Sequence, residues 1–183
     1  MLPLVLPPEI RPIILYGAGR AAMRRLNFLV ESGAGRLAVF TADPALRQAA
    51  AERYAGERPE DSRIAEAFLL FVAGLDDQES ARVAGIARAA RVLVNVEDRT
   101  EWCDFHVPAI VRRGDLLMTV STGGHSPGLA RRLKQRLEEL FGPEWAERLN
   151  VLSAARKRWR EAGMDVPEVT RATNEMIERE GWL

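Results

Sequence analysis

The chain has 183 residues, 47% hydrophobic and 28% charged, which suits one compact α/β domain plus an appendage and argues against disorder. The formal net charge is +0, so the chain as a whole has no electrostatic pull toward nucleic acid or a membrane surface; an anionic partner has to be held by a local patch. The lone cysteine, Cys103, excludes an intramolecular disulfide and a zinc site of several thiolates, and no apolar run approaches the roughly 20 residues that span a bilayer. The stretch Met1 to Ile10 carries three prolines and Glu9 without a basic n-region, so it does not read as a signal peptide, and a reducing cytoplasm is the expected compartment.

In chain order, Ile13-Ile14-Leu15-Tyr16 is a short apolar run ending at Gly17 and predicts a buried strand. Ala21, Ala22, Leu26, Leu29 and Val30 then recur at helical spacing, and Gly33 supplies a stop. Leu37 to Phe40 predicts a second strand, and Asp43-Pro44 an N-cap opening a helix through about Tyr54. Ala55 to Ser62 is turn-rich and reads as a loop. Ala67 to Ala73 is the most apolar run and predicts a central parallel strand buried on both faces. Asp76 and Asp77 cap a helix to about Ala90, and Val92 to Val96 forms the next strand. This alternation predicts βαβ units and a doubly wound parallel sheet. Beyond Asp98, Phe105 to Val111 and Leu116 to Ser121 are strand-like, and Gly114-Asp115 between them fits a hairpin. From Ser126 the chain turns helical: Leu129, Leu133, Leu137 and Leu140 share a face until Gly142-Pro143, and two further helices follow near 144–162 and 167–180. The predicted boundary lies near Arg112.

Gly17-Ala18-Gly19-Arg20-Ala21-Ala22 fits the pattern G-x-G-x-x-A between a strand and a helix. Gly17 permits a tight turn, Gly19 lets backbone approach a pyrophosphate, and Ala22 lets the helix pack close to the sheet. Free N–H groups and the dipole at the helix start favour an anion. A plain turn is the competing reading, and the strand-turn-helix context favours a dinucleotide. The second strand ends Phe40-Thr41 without the acidic residue that usually receives the ribose hydroxyls. Asp43 lies near enough to substitute, although an N-cap explains it equally well, so NAD over NADP is not decided here.

The runs Val94-Asn95-Val96-Glu97-Asp98, Phe105-His106-Val107-Pro108-Ala109 and Val120 to Ala130 (VSTGGHSPGLA), together with the glycine turn, resemble the precorrin-2 dehydrogenase/sirohydrochlorin ferrochelatase family, which includes the N-terminal module of bacterial siroheme synthase. The resemblance covers most of residues 12–142 and weakens in the tail; Arg25 also stands where a lysine is common. It implies NAD-dependent oxidation of precorrin-2 to sirohydrochlorin, in some members with metal insertion, by a homodimer. It further implies a Rossmann-like sheet in residues 1–112, a dimerisation region in 113–143 and a helical C-terminal domain in 144–183. The family's essential aspartate corresponds to Asp98, at the carboxyl end of the last parallel strand, where ligands bind in open parallel sheets.

A carboxylate at Asp98 suits a general base, an acceptor for pyrrole N–H groups or a transient metal ligand, against a plain turn residue. The expected cofactor site is Gly17, Gly19, Arg20, Ala21, Ala22, Thr41, Asp43, Gly74 and Asn95; for Asn95 a buried polar residue satisfying backbone is an equal alternative. The expected substrate site is Ser121, Thr122, Gly123, Gly124, His125, Ser126 and Arg131. There hydroxyls, N–H groups and cations would meet the eight carboxylic side chains of precorrin-2. Of Arg112, Arg113, Arg131, Arg132, Lys134 and Arg136, most read as a solvated face. His106 reads as structural, and neither histidine has a second at ligand spacing, so no permanent metal site is expected. Two rivals remain open: a bifunctional enzyme that also inserts iron or cobalt, and a non-catalytic tetrapyrrole- or dinucleotide-binding protein.

Overall fold

The computed structural model describes residues 2–7, 9 and 11–183; of the N-terminal stretch read above, Met1, Pro8 and Ile10 lie outside the described residues. Two compact units divide the chain, Met1–His106 and Val107–Leu183. The sequence-based boundary at Arg112 falls inside a strand that begins at Ala109.

The first unit is built on a five-stranded parallel sheet of β1 (Ile13–Gly17), β2 (Leu37–Phe40), β3 (Tyr54–Gly56), β4 (Leu69–Ala73) and β5 (Leu93–Val96), in the order β3-β2-β1-β4-β5. This is a Rossmann-like α/β sheet with flanking helices. Continuous apolar sequence becomes strand because both faces are covered, so β1 and β4 are buried at every residue. β1, not β4, holds the middle of the order. Helix α1 (Gly19–Glu31) turns Ala22, Leu26 and Leu29 inward. Helix α4 (Asp77–Ala89) sets Val83, Ala84 and Ala87 into one cluster with Ile14, Tyr16, Leu70, Val72, Val94 and Val96, the alternate residues of three strands.

Between β2 and β4 the structure departs from the sequence reading. Helix α2 spans only Pro44–Ala50, because Ala51 swings to φ +49° and a 3₁₀ turn (Ala51–Arg53) delivers the chain to β3. The predicted loop thus contains an edge strand and a short helix, α3 (Asp61–Ala65). Tyr-Ala-Gly is too short and weakly β-forming to announce a strand, and α3 has one inward apolar residue, Ile64, which is fully buried. Glu79 at the start of α4 ties this region down, accepting from Arg58 at 2.7 Å, from two nitrogens of Arg82 at 2.8 and 2.9 Å, and from the Tyr16 hydroxyl.

The second unit holds the antiparallel hairpin β6 (Ala109–Arg113) and β7 (Leu116–Val120), joined by Gly114-Asp115 with Gly114 at φ +57°. Helices α5 (Pro127–Leu140), α6 (Trp145–Glu161) and α7 (Val166–Arg179) follow. Phe141 meets Trp145 edge-to-face at 5.2 Å, and Arg113 donates to the Phe141 carbonyl at 2.8 Å, capping the end of α5. Asp165 and Glu168 form a reciprocal capping box on α7. The strand expected from Phe105 starts only at Ala109: the Phe105 carbonyl is taken by the Asn95 amide and Pro108 has no N–H to give, so His106 sits in irregular, exposed chain.

Candidate functional site

The carboxyl ends of β1 and β4 carry two backbone turns pressed against each other. Gly17 pairs with Ala73, and Ala18 donates to the Ala73 carbonyl at 3.0 Å. A Cβ on Gly17 would strike that carbonyl oxygen and lie 3.0 Å from the Ala22 methyl, so both glycine and the small Ala22 are required here. A Cβ on Gly74 would strike the Ala18 carbonyl oxygen. Gly74 is therefore needed for the turns to interlock, a stronger reason than leaving room for a ligand. Gly19 opens α1 at φ +67° with open space around its Cα, as a backbone that must approach a phosphate requires. Arg20 is exposed beside it and Ala21 is half-buried.

Asp43 closes this turn from the β2 side. One carboxylate oxygen accepts from the Gly19 N–H at 2.8 Å; the other accepts from Ala45 at 2.8 Å and Leu46 at 3.4 Å, capping α2. Hydrogen bonds from Gly19 first, then Ala45 and Leu46, hold its pKa below the usual carboxylate range. The carboxylate thus sits on the glycine turn while it caps the helix. Thr41 is fully enclosed, and its hydroxyl accepts the Asp43 N–H at 2.9 Å, so it acts through Asp43. Asp76 is the N-cap of α4, accepting from Glu79 N–H at 2.8 Å, whereas Asp77 pairs with Arg99.

Asn95 is buried: its amide donates to the Phe105 carbonyl at 2.9 Å and accepts from Arg25 at 3.4 Å. Arg25 lies over the Phe71 ring at 5.1 Å, and burial pushes its pKa down. This side chain is committed to holding β5 and Phe105 together. Asp98 is different. It lies two residues beyond β5, exposed, at φ +62°, and its carboxylate makes no hydrogen bond among the described residues. Its neighbours are both engaged, Glu97 with Arg24 at 2.8 Å and Arg99 with Asp77 at 2.6 Å. Sequence reasoning passes over Arg24 and Arg99 because isolated surface charges carry no motif, and it takes Asp77 for a helix cap and Glu97 only for a member of the motif run.

In the second unit, the hydroxyls expected to meet a substrate shape their own loop. Thr122 donates to the Ser126 carbonyl at 3.1 Å and accepts its N–H at 3.2 Å. Ser121 accepts from Gly123 at 3.3 Å, and Ser126 caps α5 through Leu129 N–H at 3.3 Å. Gly123 and Gly124 both have positive φ. His125 and Arg131 are exposed, and Arg131 has no ion-pair partner among the described residues. Among the described residues no group of three or more His, Cys, Asp or Glu is placed to hold a metal ion.

This geometry agrees with the comparisons. Residues 4–109 match a family model described as putative NAD(P)-binding, and residues 113–140 match one described as sirohaem biosynthesis protein central. A siroheme synthase of Methylococcus capsulatus is 34% identical over 171 residues, covering 91% of this chain and 35% of that protein. Siroheme synthase 1 of Klebsiella pneumoniae is 35% identical over 144 residues, covering 76% and 31%. The chain therefore spans about a third of the length of the curated relatives it matches. In fold it is similar to SirC, a precorrin-2 dehydrogenase, with TM-score 0.75 at 21% identity over 97% of this chain and 89% of that one. The resemblance read from the four motifs is upheld, and the chain belongs to the putative NAD(P)-binding family, followed directly by a sirohaem-biosynthesis central segment.

Proposed function

We propose that this chain oxidises precorrin-2 to sirohydrochlorin with NAD, in siroheme biosynthesis. The observation that carries the proposal is the Gly17–Gly19 turn at the meeting of β1 and β4, with the Asp43 carboxylate bonded to the Gly19 N–H. The turn fits a dinucleotide, because Gly17 lets it close against β4 while Gly19 leaves open the space where a Cβ would stand, so that backbone can approach phosphate. Gly17, Gly19, Ala22 and the first turn of α1 would hold the pyrophosphate, with Arg20 beside it. Asp43 would receive ribose hydroxyls and repel a 2′-phosphate, which favours NAD over NADP. NAD supplies the hydride acceptor when bound.

Asp98 takes the proton that leaves the substrate, a role suited to an exposed carboxylate free of internal partners. The loop 121–126 and Arg131 are assigned to the tetrapyrrole carboxylates, with Arg131 the main donor, since the loop's hydroxyls and the N–H groups of Gly123, His125 and Ser126 are engaged within it. Residues 113–143 are assigned to self-association as a homodimer, supported by exposed Leu129, Leu133 and Leu140 on α5. The cytoplasmic assignment rests on the free thiol of Cys103; no helix of the described residues is long and apolar enough to cross a membrane.

The test is anaerobic NADH formation from precorrin-2, with NADP in parallel. Wild-type turnover with NAD and a loss of about 100-fold or more in Asp98→Ala are expected. Tight NAD binding without turnover would replace the enzyme by the binding-protein reading. Uptake of iron by sirohydrochlorin on adding this chain alone would establish the bifunctional reading, in which the same carboxylate collects pyrrole protons.

A further inference from the structure

Asp98 occupies the left-handed region at φ +62°, which aspartate enters more readily than most residues with a Cβ, and its surroundings hold it there. Those surroundings are built on both sides. Upstream, Glu97 sends its N–H to the Val72 carbonyl at 2.9 Å, and its carboxylate accepts from Arg24 at 2.8 Å. Downstream, Arg99 donates two nitrogens to one oxygen of Asp77 at 3.0 and 2.6 Å, and a third to the Asp98 carbonyl at 3.2 Å. Beneath the turn the Cys103 sulfur accepts the Val96 N–H at 3.3 Å and lies 3.2 Å from the Arg99 carbonyl. Burial pushes that thiol's pKa up, which keeps it a donor.

The partners are not arbitrary. Arg24 belongs to α1, which opens at Gly19; Asp77 is the first residue of α4, which follows Gly74. The two pairs therefore tie the Asp98 turn to the two helices that begin at the interlocked glycine turns. Each pair has one exposed member, Arg24 at 68% and Asp77 at 66%, against a more enclosed partner, Glu97 at 19% and Arg99 at 40%, and ion pairs this open to solvent contribute little to global stability. We infer that Arg24–Glu97 and Arg99–Asp77 form a positioning clamp that fixes the Asp98 carboxylate relative to the dinucleotide turn. This rests on the proposed role of Asp98.

The experiment compares Asp98→Ala, Arg24→Ala, Arg99→Ala, Arg99→Lys and the double variant Asp98→Ala/Arg99→Ala. It reads kcat, the KM and Kd for NAD, and hydrogen exchange of the 97–104 amides. Each arginine-to-alanine change is expected to lower kcat about tenfold, the size of effect that a small misplacement of a reacting group produces. The NAD constants should stay within about twofold, exchange should quicken in 97–104, Arg99→Lys should recover part of the rate, and the double variant should be no slower than Asp98→Ala. Unchanged kcat in both arginine variants, with Asp98→Ala impaired, would overturn the clamp and leave the role of Asp98 standing. A double variant well below Asp98→Ala would mark general damage and also overturn it. Full turnover by Asp98→Ala would remove the role of Asp98, and the clamp with it.

Discussion

The two compact units make their interiors in opposite ways. In Met1–His106 whole strands vanish from solvent, β1 and β4 along every residue, and helices on both faces complete the burial. In Val107–Leu183 the buried apolar side chains among the described residues are Val111, Trp145, Ala155 and Val169, and α5 buries none of its residues fully. A parallel sheet requires cover on both faces, whereas a hairpin and the amphipathic helices α5 and α7 leave apolar stripes open unless something else covers them. The first unit therefore encloses its apolar residues more completely than the second.

The largest effect that would sharpen this contrast comes from matched truncations. Val39→Ala, at a fully buried position of β2, should cost about 2–3 kcal/mol, while Val169→Ala, which loses the same two methyl groups in the second unit, should cost about 1–2 kcal/mol. Urea unfolding followed by circular dichroism would measure both, and equal costs would dissolve the contrast. A smaller change in the single chain, about 0.5 kcal/mol or less, is expected from Leu129→Ser with Leu133→Ser on exposed α5. Sedimentation should nevertheless show the proposed homodimer replaced by monomer; an unaltered dimer would assign the interface elsewhere.

The smallest expected effect is a pH dependence at Asp43. Its folded pKa is depressed by the N–H groups of Gly19, Ala45 and Leu46, so the stability it contributes is present above the unfolded value of about 4 and is lost as pH falls through the lower folded value. The stability gap between wild type and Asp43→Asn should thus be constant near neutrality and shrink below about pH 4. A gap that widens on acidification would contradict the hydrogen-bonded carboxylate.

The glycine turn was legible because its chemistry is local. Gly17 is dictated by the close approach of the Ala73 backbone, Ala22 by its contact with Gly17, and Gly19 by its positive φ, and a residue with little or no side chain records such needs directly in the sequence. The strands β1, β2, β4 and β5 were legible for the related reason that burial on both faces demands continuous apolar residues. β3 and α3 were not, since three and five residues at a sheet edge carry no period, and the pairing of Gly56 with Thr41 makes the strand.

The sequence by itself determined the class of sheet, the glycine turn and the family motifs, all of which are written in short runs of neighbouring residues. Only the tertiary structure decided what the charged and polar residues do. It took Asn95 for Phe105 and Arg25, enclosed Thr41 beneath Asp43, brought Asp43 onto Gly19 across 24 positions, and flanked Asp98 with ion pairs to Arg24 and Asp77 from two helices. A polar side chain's role depends on which partner reaches it at hydrogen-bond distance, and only the folded chain sets that distance.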